Sequence, residues 1–143
     1  MVEEGGYSDL NAWAIQQAGL LRSGRFEALD AEGIAARIED LAHDLQRELA
    51  RHTTSLLAHL LRRKCDIEGP GWERSIAARR RELARLLRES PSLAAQLRDP
   101  DWVQAVWAQA CLQAAAATGH DGFPASCPWL IEEEALRADW FPV

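Results

Sequence analysis

Two histidines, His52 and His59, stand seven residues apart in a run where Ile34, Ile38, Leu41, Leu45, Leu49 and Leu56 otherwise recur at steps of three and four. An imidazole can ligate a metal or exchange a proton near neutral pH, so chemistry is sought here first. On a helix the two rings share a face but lie about 10 Å apart along the axis. Zn–N bonds are about 2.1 Å long, so the pair cannot close on one ion without ligands from other helices. His52 therefore reads as a packing or interface residue. His59 is the better candidate for a general base, against the commoner role of a buried ring bonded to a carbonyl or carboxylate.

Arg80 is the second residue of interest. Ile76, Leu83 and Leu87 form a helical stripe that passes through position 79 or 80, and both are arginines. Arginine tolerates burial when its fork meets a carboxylate, and Glu39 is the expected partner. The alternative is that Arg79, Arg80 and Arg81 form a solvated basic face. If Glu39, His59 and Arg80 converge, they make a buried polar cluster, structural as readily as catalytic.

The remaining chemical signals are weak. Asp40-x-x-His43 resembles half of a di-metal carboxylate motif, but such sites need a second copy and two further glutamates, and no second copy occurs. His43 thus reads as a solvated side chain near Glu39 or Asp40. Cys127, in Phe123-Pro124-Ala125-Ser126-Cys127-Pro128, precedes a short helix whose N-terminus can lower a thiol pKa, though a small buried hydrophobe is the expected role. Nucleophile-elbow, Walker, Rossmann and His-Glu-x-x-His patterns are all missing from the sequence. The six tryptophans lie in different segments and are expected to supply core area. No cofactor or metal is expected.

These residues must be positioned by helices. The chain has 143 residues, 48% hydrophobic and 27% charged, with Ala, Leu, Arg and Glu dominant and strand formers scarce. The expected fold is all-α: one helical domain over residues 1–143, a bundle of about five helices with one long helix near 31–65 and an irregular tail. Residues 1–7 are expected to be flexible. Ser8 or Asp9 caps a helix running to about Ser23, where Gly24 supplies the left-handed C-terminal conformation. Asp30 caps the long helix, which needs either a kink near Thr53-Thr54-Ser55 or a partner to cover it. A third helix starts at Trp72, Pro91 opens a short fourth, and a fifth runs from Trp102 to about Thr118 before Gly119. Residues 120–143 are expected as loop and short helix, with Trp129, Trp140 and Phe141 packing back on the bundle.

Charge narrows the partners. The net is −6 and the pI about 5.2. Residues 1–61 net −5, residues 62–88 net +5 and residues 89–143 net −6. A basic centre between acidic arms favours internal pairing or self-association over a polyanion, and nucleic acid is not expected as a partner. The near-apolar run Ala105–Ala117 is too short to cross a bilayer and contains Gln109 and Gln113. Three cysteines without a paired spacing, and an N-terminus lacking a signal-peptide pattern, point to reduced thiols in a cytoplasm.

Ordered fragments along the chain resemble a family. Tyr7-x-Asp9 with Trp13, Gln17-Ala18-x-Leu20-Leu21-Arg22-x-Gly24-Arg25-Phe26-x-x-Leu29-Asp30, and Ile38-Glu39-Asp40-Leu41 are similar to bacterial domains of unknown function, family 29. So are Leu56-Leu57-x-His59-Leu60-Leu61, Trp72-x-x-x-Ile76, Arg80, Ser90-Pro91-Ser92-Leu93, Thr118-Gly119 and Phe123-Pro124-x-x-Cys127-Pro128. The resemblance implies an all-helical fold and no assigned activity, and its motif positions include Glu39, His59 and Arg80. Two departures stand out. Arg62-Arg63-Lys64 replaces the family's usual Lys-Trp-Gln, and Gly33 replaces a helix-favouring residue.

Two functional readings follow. The first is a non-enzymatic interaction or regulatory module, a homo-oligomer or partner of another protein, in which Glu39, His59 and Arg80 fix helix packing. The second is a hydrolase or metal-dependent enzyme with His59 as base or ligand, Glu39 as acid/base and Arg80 as anion binder. That second reading requires the three to border one water-accessible pocket.

Overall fold

The computed structural model describes residues 9–65 and 71–143. The expectation for residues 1–7 lies outside that range. Among the described residues the structure is all-α and has no strand. Four α-helices, α1 (Leu10–Arg22), α2 (Ala31–Lys64), α3 (Trp72–Glu89) and α4 (Pro100–Thr118), are joined by 3₁₀ segments at Phe26–Ala28 and Pro91–Arg98. A π-turn at Ile131–Ala135 sits in the tail. Contacts group the chain into two compact units, Met1–His43 and Asp44–Val143, so the boundary falls inside α2.

In the first unit, one carboxylate ties the elements together. Asp30 caps α2 by accepting the Gly33 amide proton at 3.0 Å, and its other oxygen accepts the indole N–H of Trp13 on α1 at 3.0 Å. The Asp30 amide in turn donates to Oε1 of the buried Gln17 at 2.9 Å. This explains the glycine at position 33, because a Cβ there would run into the Asp30 carboxylate. On α1, Leu10, Ile15 and Leu21 stay exposed, as does Phe26 just beyond it.

α2 is a single helix of 34 residues. Thr53-Thr54-Ser55, where a kink is one of the two alternatives, continue the helix, and Thr53 and Thr54 are buried along it. Within the second unit its Leu49, Leu56, Leu57, Leu60 and Leu61 enter the core with Ile76 and Leu83 of α3. Leu93 and Leu97 of the 3₁₀ segment join them, as do Val106, Trp107, Ala110 and Ala114 of α4. Ala110 and Ala114 are fully buried, so their small side chains let neighbouring backbones come close. Pro100 opens α4 under the Asp99 cap, and Gly119 closes it at φ 78°, a conformation costly for any residue with a Cβ. In the tail, Ile131 and Ala135 are buried, and Trp129, Trp140 and Phe141 lie against the core.

Candidate functional site

The histidine-bearing half of α2 faces α3, and arginine joins the two helices. Arg79 donates from Nε to Ser55 Oγ at 3.1 Å and approaches His52 Nδ1 with Nη1 at 3.1 Å. A guanidinium has only donors, so this contact is a hydrogen bond in the tautomer of the neutral ring that leaves Nδ1 as acceptor. The other ring nitrogen, Nε2, lies 3.4 Å from Arg51 Nη2. His52 is 4% exposed; burial first, then Arg51 and Arg79, hold its pKa below the ordinary value, while Glu82 and Glu48 act the other way. His59 is half-buried; burial, then Arg62 and Arg79, lower its pKa too. On the flank of this seam, Arg85 binds Glu82 and Glu89 at 2.9 Å each and lies 3.9 Å from Glu48.

These shifts set a pH dependence. A ring that protonates less readily folded than unfolded lets the unfolded chain take up the proton first, so stability falls with pH. The contribution is complete above the ordinary histidine value of 6.5 and is lost as pH drops below it, down to the folded pKa. The melting temperature is therefore expected to be level between about pH 7 and 8 and to decline from about pH 6.5. A double variant, His52→Gln with His59→Gln, flattens the limb between about pH 6.5 and 5.5; an unchanged slope by circular dichroism rules out this origin.

Arg80 points the other way. It is 7% exposed and donates Nε to Ala135 O at 2.9 Å, Nη1 to Ala138 O at 3.1 Å and Nη2 to Trp140 O at 2.6 Å. Its guanidinium carbon lies 5.1 Å from the Phe141 ring centroid. Burial lowers the guanidinium pKa, and the carboxylate that counters this is Asp139, in the same tail. Glu39, the expected partner, belongs to the first unit and is exposed. Within the second unit, Arg80 thus bonds carbonyls of the tail and not His59. The reason lies on α3, where positions 79 and 80 flank the apolar stripe on opposite sides, about 100° apart. Arg79 turns to α2 and Arg80 to the tail, so neither belongs to a solvated face; Arg81 alone of the three is exposed. His43 is exposed as expected, and Asp40 pairs with Arg37 at 3.3 Å.

Two open cavities of about 370 Å³ each indent the second unit. One is walled by Trp107, Phe123 and Trp129 with Lys64, Cys65 and His120 among its lining. The other includes Arg80, Glu73 and Arg81 beside Ile76, Leu136 and Phe141. Neither is lined by His52, His59 or Glu39. Among the described residues no three His, Cys, Asp or Glu side chains are arranged to hold a metal ion. All three cysteines are free. Burial pushes the Cys127 thiol up, and it donates to Trp129 O at 3.4 Å, as suits the expected small buried residue.

An all-α chain whose second and third helices are joined through an arginine-rich polar seam is the class these features define. The chain belongs to the family described as domain of unknown function DUF29, whose model matches residues 7–141. No curated protein and no solved structure matches it. No described helix is long and apolar enough to cross a membrane.

Proposed function

We propose that the protein is a non-enzymatic, cytoplasmic interaction module that associates with itself through the first half of α2. One observation carries this reading. The apolar stripe of α2 enters the core at Leu49, Leu56 and Leu60, yet its earlier members Ile38, Leu41 and Leu45 are 59%, 65% and 37% exposed. A row of large apolar residues left open at helical spacing is the pattern of a helix awaiting a partner helix. Two arginines that an enzyme could use have other occupations. Arg79 and Arg80 hold helices and tail together. Three free cysteines suit a reducing compartment.

Leu41→Glu provides the test. By sedimentation velocity the parent chain is expected above its monomer mass of 15.9 kDa, and the variant at that mass with an unchanged melting temperature. A parent chain that stays monomeric at about 100 μM, where a contact of Kd near roughly 10 μM is largely formed, removes the reading.

A further inference from the structure

The open face of α2 also specifies how a partner lies on it. The half-buried Ile34 and the exposed Ile38, Leu41 and Leu45 follow each other at steps of four, three and four, the a and d spacing of a two-helix seam. The seam ends at Leu49, which is fully buried in its own core. Ala35 and Ala42 line one flank of the stripe, and Arg37 and Asp44 line the other; all four are exposed. Within the chain, Arg37 pairs with Asp40, and Asp44 pairs with Arg47, both on the surface.

We infer that the occupant is a second copy of this chain, its α2 antiparallel to the first, with Ile38 of each copy opposite Leu41 of the other. This inference rests on the self-association proposed above and adds its direction and register. With that pairing, Ile34 faces Leu45 of the other copy, giving four layers of two large apolar side chains. The same register sets Arg37 of each copy beside Asp44 of the other, twice by the two-fold axis. On the opposite flank it sets Ala35 beside Ala42, where two small side chains let the backbones close up. A parallel pair loses this match, because Arg37 then faces Ala42 and the charges find no opposite number. Antiparallel packing also opposes the two helix dipoles favourably.

Charge reversal tests the register. Arg37→Asp alone and Asp44→Arg alone each turn two attractive contacts into two repulsive ones. Each is expected to weaken the dimer by about tenfold, with the loss shrinking in about 1 M salt. The double variant, Arg37→Asp with Asp44→Arg, restores opposite charges in the same register and is expected to return to within about threefold of the parent. That recovery cannot come from within one helix, because the double variant still sets an aspartate at position 37 against Asp40, and an arginine at position 44 against Arg47. Circular dichroism of each variant checks that helix content is kept. A dimer that forms but loses affinity additively in the double variant, or is indifferent to either reversal, overturns the antiparallel register and leaves self-association standing. A parent chain that is monomeric throughout overturns both.

Discussion

Replacing Arg80 with methionine is expected to cost about 2–3 kcal/mol of folding stability, because it leaves the buried Ala135 carbonyl and the part-buried carbonyls of Ala138 and Trp140 without their donor. The guanidinium serves carbonyls of Ala135, Ala138 and Trp140, which a single side chain joins only because its N–H groups fan out in one plane. Methionine fills similar volume, so the loss reports the bonds more than a cavity. Arg80→Lys keeps the charge but presents a compact ammonium that cannot reach three separated carbonyls, and is expected to recover less than half. Urea titration followed by circular dichroism measures both. Near-parental stability in Arg80→Met would show that the tail holds without the arginine.

The second large effect is expected at Trp107. It is 1% exposed, donates its indole N–H to Pro124 O at 2.8 Å, and meets Trp129 edge-on at a centroid distance of 5.3 Å. Trp129 in turn meets Trp140 at 5.5 Å, so the α4 indole anchors the aromatic packing of the tail. Trp107→Ala leaves a cavity in the core and is expected to cost about 3–5 kcal/mol. Trp107→Phe keeps most of the area but strands the Pro124 carbonyl, at about 1–2 kcal/mol. The same chemical denaturation reads both. Equal costs for the two variants would mean that the hydrogen bond, and not the ring volume, dominates.

The helices were readable because their signals are local. Asp9 and Asp30 as caps, Pro91 and Pro100 at first helical turns, and Gly119 at a left-handed terminus each act within a few residues. The long helix was equally visible, since no proline or glycine interrupts residues 34–64. The polar partners were not. That a position near 79 or 80 joins two elements follows from the stripe of α3, but a step of about 100° decides which arginine meets which neighbour, and the neighbours are set by packing. His52 and Ser55, spaced three apart beside the histidine stripe, were the available hint of the Arg79 contact. Three of Arg80's partners are backbone carbonyls, which every residue possesses and which therefore leave no mark in a sequence.

By itself the sequence determined an all-α chain, its helix boundaries, its family and a continuous apolar stripe along α2. Tertiary structure alone decided which part of that stripe is used. From Leu49 onward α3 and α4 supply apolar partners, and the stripe becomes core. At Ile38, Leu41 and Leu45 no such cover exists among the described residues, and the same pattern becomes surface. Periodicity records that a face is apolar, whereas burial depends on what lies opposite, and that is a property of three-dimensional contacts between residues far apart in the chain.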